Sequence, residues 1–337
     1  MSLTPDRRSA LVAARLAAIV RARTESPVDV SDVHSFAAHG AALVVDGTAW
    51  VDPGEGGPTG IGSPMAWAMR HEVTELHMVV ESDDLERLGV LARHASMFDP
   101  APTVSRIDGV SLHPVEPARL GTVEVPPPST AEHVLLLDQA GVEVVVESGR
   151  VLGEIRGLEV ARVLVADDGS ATLHVGVGRF DREAFALMHG ELSPSEALGR
   201  AVDQVGGVRR PGAEPHPLNR LARERWLRHQ LVADPSLVGA VELHPVESSR
   251  ARGGLRDNGI AVAVGHREDG TELVVAISVG IDLEAVPLAA DARFWHAPDA
   301  DLILVVPPRD QHPVTAHLAA RLARPATVLG LAGEWPE

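Results

Sequence analysis

The chain has 337 residues and contains no cysteine and no tyrosine. It also lacks lysine, so its 30 basic residues are all arginines. These absences exclude thiol nucleophiles, cysteine-based zinc sites, Schiff bases and P-loop lysines. The formal net charge of −17 argues against general nucleic-acid binding, because an acidic surface repels phosphate backbones.

Composition also bears on source and location. Lysine, tyrosine and asparagine have AT-rich codons, so their scarcity indicates a bacterial gene of high GC content, such as an actinobacterial one. Residues 4–23 are predicted to form an amphipathic helix whose five arginines interrupt any signal-peptide core. No apolar run reaches the roughly 20 residues that a membrane span needs. We therefore expect a soluble, cytoplasmic protein without membrane contact.

The first predicted unit covers residues 1–118. The Asp46-Gly47 pair between two apolar runs predicts a hairpin over 41–51. A helix from Ser63 to about Arg70 and a strand at 75–80 follow. A helix capped by Ser82 comes next, and a second hairpin that turns at Asp108-Gly109 ends the unit.

The middle predicted unit covers residues 129–208 and follows a proline-rich linker at 117–130. A short helix begins at Ser129. Four strands are predicted near 142–147, 150–156, 158–165 and 171–177. Two helices near 180–189 and 194–205 close the unit, which short turns make more antiparallel than the first.

The third predicted unit covers residues 215–337. An arginine-rich helix is expected at 218–232, after a Gly/Pro-rich break. Strands near 260–264, 271–279, 301–306 and 326–331 follow, with helices after 282 and at 313–322. The connection between 271–279 and 301–306 is long enough for a helix, so these apolar strands are predicted to be parallel neighbours.

The predicted fold class is α/β, with two small mixed or parallel sheet-and-helix units on either side of a more antiparallel α+β middle unit. The first and third units share the order hairpin, helix, strand, helix, strand. This shared order suggests an internal duplication.

The middle hairpin contains a candidate metal site. A two-residue turn at Ser148-Gly149 places Glu143 opposite Glu154, and Glu147 opposite Arg150, on one sheet face. Opposed like charges cost stability, and the two side chains are near enough to share a cation or act as an acid–base pair. The alternative is a solvated face on which Arg156 or Arg162 neutralises the glutamates.

The outline helix, antiparallel strands, helix over residues 129–189 resembles the core of the PD-(D/E)XK nucleases. The family's Glu-x-Lys motif would fall at Glu159-Val160-Ala161, where the lysine is missing. The resemblance implies at most a degenerate member of the family, active or inactive, with Glu143 and Glu154 as the best candidates for its acidic ligands.

The third unit contains a candidate ligand site at the carboxyl ends of its predicted parallel strands. Open α/β sheets bind ligands outside these ends. The candidate ligand-binding residues are Asp282, Arg309, Asp310 and His312. The alternative is that Asp282 and Asp310 merely cap the helices that follow them.

Two further features allow both a functional and a structural interpretation. The glycine-rich stretch 54–62 precedes the helix at Ser63, and it can cradle a phosphate or form an ordinary surface loop. The arginines of helix 218–232 can bind phosphates or a partner, or form a solvated face while Trp226 and Leu227 are buried.

No nucleophile elbow or paired metal-ligand motif is present. The sequence therefore favours a non-catalytic protein that binds a protein partner or a small ligand. The alternative is a metal-assisted hydrolase or degenerate nuclease that acts through carboxylates. The sequence identifies no cofactor, and it leaves open whether the protein is an enzyme.

Overall fold

The computed structural model describes residues 5–37, 39–54, 60–73, 75–178, 192–250 and 259–336. The chain divides into two compact units. Unit 1 comprises residues 1–120, 283–291 and 313–327, and unit 2 comprises residues 121–282, 292–312 and 328–337.

The fold is α/β, as predicted. The helices of the described residues are α1 Pro5–Thr24, α2 Gly62–Arg70, α3 Leu85–Ala95, α4 Ala131–Gln139, α5 Pro194–Val208, α6 Arg223–Ala233, α7 Ala285–His296 and α8 Pro313–Ala320. None of these helices is long and apolar enough to cross a lipid bilayer.

The strands of the described residues form three sheets, one within each of the three predicted ranges. Sheet 1 consists of β1 His34–Phe36, β2 Gly40–Val45, β3 Thr48–Asp52, β4 Glu75–Val80, β5 Thr103–Asp108 and β6 Ser111–Pro114. Sheet 2 consists of β7 Glu143–Glu147, β8 Arg150–Ile155, β9 Leu158–Val165 and β10 Ala171–Val175. Sheet 3 consists of β11 Glu242–Val246, β12 Ala261–His266, β13 Glu272–Ile277, β14 Asp301–Val306 and β15 Thr327–Gly330.

Sheet 1 keeps its strands in sequence order. The predicted β2–β3 hairpin is confirmed, and its turn residues Asp46 and Gly47 have φ values of 50° and 79°. Positive φ at both positions suits a two-residue turn, which explains the Asp-Gly pair. The next pairs, β3–β4 and β4–β5, are parallel. Leu16 and Val20 of α1 pack with Leu43 in the core of this sheet.

Sheet 2 is antiparallel throughout, in the order β10-β9-β8-β7, which confirms the predicted four-stranded meander. Its turns at Ser148-Gly149 and Arg156-Gly157 again have positive φ at both residues. Leu158 and Val160 form its core together with Leu198 of α5. The helix predicted at 180–189 lies outside the described residues.

Sheet 3 has the order β11-β12-β13-β14-β15. Strands β13 and β14 are parallel neighbours, with Leu273 opposite Asp301 and Ile277 opposite Val305. The predicted pairing is therefore confirmed. This pairing brings the carboxyl ends of the two strands to the same edge of the sheet.

Sheets 1 and 3 repeat one succession of elements. In each, a helix and a 3-10 turn precede an outer antiparallel strand, a hairpin, and then helix, strand, helix, strand. The repeat begins at α1 in unit 1 and at α6 in unit 2. The shared order noted in the sequence is therefore longer than predicted, because β1 and β11 were not predicted as strands.

Two helix starts differ from prediction. Asp84, rather than Ser82, caps α3, since its carboxylate accepts from the backbone N–H of Arg87 at 2.9 Å. Helix α6 begins at Arg223, five residues later than expected, because a 3-10 turn occupies Pro217–Arg220.

Candidate functional site

The acidic face of sheet 2 has the predicted register. Glu143 lies opposite Glu154, and Glu147 lies opposite Arg150. A β-bulge follows between Gly153 and Glu154, so that Glu154 also pairs with Glu159 of β9. The carboxylates therefore gather on one face, as expected.

Helix α6, rather than solvent, covers this face. The side chain of Glu154 is fully buried, and its two oxygens accept from Arg225 at 2.6 Å and Arg228 at 2.8 Å. Burial would raise the pKa of Glu154, but the charges of Arg228 and then Arg225 outweigh that effect and lower it. Glu154 is therefore a structural carboxylate that stays ionised.

The other two carboxylates of the face also have partners on α6. Glu147 accepts from Arg225 at 2.7 Å, and Glu143 lies 2.9 Å from Nδ1 of His229. A cation bound by Glu143 and Glu154 would have to displace both arginines from Glu154. In the described part of the chain, no three His, Asp or Glu side chains are grouped as metal ligands.

The neutralising arginines are not the ones expected from sequence. Arg162 forms a two-bond pair with Glu159 instead, at 2.8 and 2.9 Å. Arg156 donates to the carbonyl oxygen of Arg209. Sequence distance explains the error, because Arg225 and Arg228 lie 71 and 74 residues from Glu154.

The predicted solvated arginine face of α6 is wrong for its central arginines, because Arg225 and Arg228 are only 6% and 1% exposed. One stripe of the helix meets the carboxylates of sheet 2. Another stripe, with Trp226 and Leu231, lies in the core of sheet 3. Both stripes are buried, so the helix lacks the solvent-facing side that the sequence suggested.

Arg209 fixes the entry to α6. Its side chain donates to four backbone carbonyl oxygens at 2.9–3.0 Å, those of Arg156, Leu218, Leu221 and Ala222. Its guanidinium carbon lies 4.5 Å from the ring centroid of Trp226. Burial lowers the pKa of Arg209 to about 10, against the attraction of Glu154 and Glu224. Sequence analysis missed this residue.

The candidate ligand site of the third unit lies at the carboxyl ends of β13 and β14. Asp310 Oδ2 accepts from the backbone N–H of Gly280 at 2.8 Å, which joins the two strand ends. Oδ1 of Asp310 lies 3.9 Å from Nε of Arg309. Asp282 and Asp310 are partly buried, whereas Arg309 and His312 are exposed.

Asp310 therefore has a role that differs from the predicted helix cap. It ends the 3-10 turn Pro308–Asp310, three residues before α8 begins, and its carboxylate bonds to the end of β13. Asp282 likewise lies three residues before α7.

Arg223 belongs to the same charged neighbourhood. Burial lowers its pKa, and the charges of Arg309 and Arg220 lower it further, while Asp310 and Glu224 oppose them. The guanidinium carbon of Arg223 lies 5.8 Å from the ring centroid of Trp335, and its Nε is buried without a hydrogen-bond partner. No pattern in the sequence indicated that α6 reaches this edge.

The glycine-rich stretch before α2 is described only in part, since residues 55–59 lie outside the described residues. At the start of α2, the carboxylate of Glu284 accepts from the backbone N–H of Ser63 at 3.2 Å. A Cβ on Gly60 would lie 1.8 Å from Oε2 of Glu284. The position at which this helix start could bind a phosphate therefore holds a carboxylate of the chain itself.

Unit 1 also contains two buried ion-pair groups that sequence analysis missed. Arg15 donates to Asp52 at the end of β3, and burial raises the pKa of Asp52 although Arg15 opposes the rise. Asp291 is fully buried and pairs with Arg93 through two bonds, at 2.8 and 3.0 Å, and with His94 at 3.2 Å. In each group every carboxylate oxygen has a protein partner.

The fold and these sites define an α/β protein with three sheets and an internally paired acidic face. Comparison of the chain with protein-family models, curated proteins and solved structures returns no match.

Proposed function

We propose that the protein is a non-catalytic binding protein that takes a small anionic ligand at the carboxyl edge of β13 and β14. The hydrogen bond from Gly280 to Asp310 is the observation that carries the proposal. It holds the segment with Asp282 and the loop with Arg309 and His312 at the edge where open α/β sheets bind ligands.

The charges at this edge favour an anion. Burial lowers the pKa of Arg223, and the guanidinium groups of Arg309 and Arg220 are near enough to lower it further. Like charges that lie close together repel, and a bound anion relieves that repulsion. Arginine also binds carboxylates and phosphates through two parallel hydrogen bonds.

The alternative, a metal-assisted hydrolase, receives no such support. It needs Glu143 and Glu154 as metal ligands, whereas both oxygens of Glu154 hold arginines. A carboxylate whose two oxygens are bound by buried arginines acts as a structural group and is not available as a metal ligand.

Calorimetric titration of the full chain with citrate at constant ionic strength tests the proposal. Arg309→Gln should weaken citrate binding about tenfold, because a charge-assisted hydrogen bond is lost. Asp310→Asn should strengthen binding, since it keeps an oxygen for Gly280 and removes a negative charge.

The matched control is Arg87→Gln, which removes an exposed positive charge from α3 in unit 1. It should leave citrate affinity unchanged. The proposal fails if Arg309→Gln behaves like Arg87→Gln, or if the wild-type chain shows no binding near about 1 mM citrate.

A further inference from the structure

A polar cavity of about 100 Å³ lies in unit 2, beside the β7–β8 turn. Its lining includes Ser148 and Arg150 of that hairpin, and Ser248 and Arg250 of the segment after β11. A single water molecule needs about 10–15 Å³ of such space, so the cavity has room for a small polyatomic ion.

The lining is basic although the chain as a whole is acidic. Four arginines and two glutamates line the cavity, so the lining itself has a formal surplus of two positive charges. Two carboxylates outside the lining, those of Glu154 and Glu159, pair with two of these arginines. The arginines are Arg150, Arg162, Arg225 and Arg250. The glutamates are Glu147 and Glu247.

Two of the four arginines are neutralised by the protein. Arg225 binds Glu154 and Glu147, and Arg162 binds Glu159. Glu247 accepts from the backbone N–H of Ser148 at 2.6 Å. These contacts involve neither of the other two guanidinium groups.

The remaining two arginines, Arg150 and Arg250, are exposed. Arg150 lies opposite Glu147 in the strand register, but an oxygen of Glu147 accepts from Arg225 instead. Neither side chain of the two makes an ion pair with a residue in the described ranges. Each therefore presents an unpaired guanidinium group at the cavity.

We infer that this cavity binds a phosphoryl group, of inorganic phosphate or of a phosphomonoester. Two unpaired guanidinium groups match the charge of a phosphate dianion. Each can donate two parallel N–H hydrogen bonds to phosphate oxygens. The volume suits one tetrahedral group with its substituent directed outward. This site uses none of the residues of the edge site proposed above.

The test is calorimetric titration of the full chain with inorganic phosphate and, separately, with phenyl phosphate, at constant ionic strength. The double variant Arg150→Gln/Arg250→Gln should bind the preferred ligand at least about tenfold more weakly. The control Arg70→Gln/Arg87→Gln removes two exposed arginines of unit 1 and should stay within about twofold of wild type. Both positions of the double variant are exposed, so its thermal midpoint should match that of wild type.

Binding of phosphate alone would assign the free ion, and binding of phenyl phosphate alone would assign a monoester. The inference is overturned if neither ligand binds near about 1 mM, or if the double variant binds as tightly as wild type. In the Arg309→Gln background the double variant should still weaken phosphate binding by about the same factor, which keeps this result separate from that of the edge site.

Discussion

Unit 2 buries Arg209, Arg225 and Arg228 almost completely, and their charges are compensated in two ways. Arg225 and Arg228 share the carboxylate of Glu154, whereas Arg209 is held mainly by carbonyl oxygens. Removing a charge from water is costly unless every donor finds a partner. Arg209 meets that condition through four carbonyl oxygens, whereas Nε of Arg228 is buried without a hydrogen-bond partner.

Replacing Glu154 by glutamine should therefore destabilise the protein strongly. The substitution leaves Arg225 and Arg228 buried with part of their compensation removed, which costs about 3–5 kcal/mol of unfolding free energy. Urea unfolding measures the loss. Glu143→Gln is the control and should cost less than about 1 kcal/mol, since its pair with His229 is partly exposed. Equal effects of the two substitutions would contradict the structural role of Glu154.

The same carboxylate should make stability depend on pH in the acid range. The pKa of Glu154 is lowered in the folded protein, so its contribution is complete above the unfolded-state value of about 4.3. The contribution is lost as pH falls from that value toward the folded-state pKa. The urea midpoints of wild type and Glu154→Gln should therefore converge below about pH 4. If the difference between the two urea midpoints stayed constant down to low pH, Glu154 would not be the source of the pH dependence.

At the scale of elements, α6 is the part that organises unit 2. Its charged stripe meets sheet 2 and its apolar stripe lies in the core of sheet 3. The β8–β9 turn packs closely against α6. Gly157 lies so near the backbone of Arg225 that a Cβ at position 157 would not fit. The contact between a turn and a helix backbone thus depends on one glycine.

Gly157→Ala should disrupt this contact. A Cβ at position 157 would lie 2.2 Å from the carbonyl carbon of Arg225, and the residue has φ of +74°. Gly169→Ala is a matched control, because φ there is +82° but no atom lies within 4 Å of the added carbon. The control should cost about 1 kcal/mol from backbone strain alone, and Gly157→Ala should cost clearly more. Thermal unfolding of both variants measures these costs. Equal midpoints would show that the close approach of Gly157 to the backbone of Arg225 does not determine stability.

At the scale of the whole molecule, the net charge of −17 opposes long polyanions while leaving local basic sites available. A single small anion meets a few guanidinium groups, whereas a duplex meets much of an acidic surface. The two proposed sites and the overall charge are therefore compatible.

We accordingly expect no tight binding to duplex DNA at physiological salt. Fluorescence anisotropy with a labelled duplex should show no nanomolar affinity. Nanomolar binding would overturn this expectation and would point to an extended basic surface that the net charge conceals.

Local patterns in the sequence determined most of the secondary structure. The Asp46-Gly47 and Ser148-Gly149 pairs fixed two hairpins, because few residues tolerate positive φ at both turn positions. The register that follows from the second turn placed Glu143 opposite Glu154. The length of the connection between β13 and β14 predicted their parallel pairing.

Only the tertiary structure decided what the charged side chains do. Glu154 finds its partners more than 70 residues away, and Asp310 bonds to Gly280 rather than to a helix. Glu284 occupies the helix start at which a phosphate could have bound. Turns and periodicity reflect interactions between residues close in sequence, which each segment carries in itself. The partner of a buried charge depends on which distant segments pack together, and no pattern within one segment encodes it.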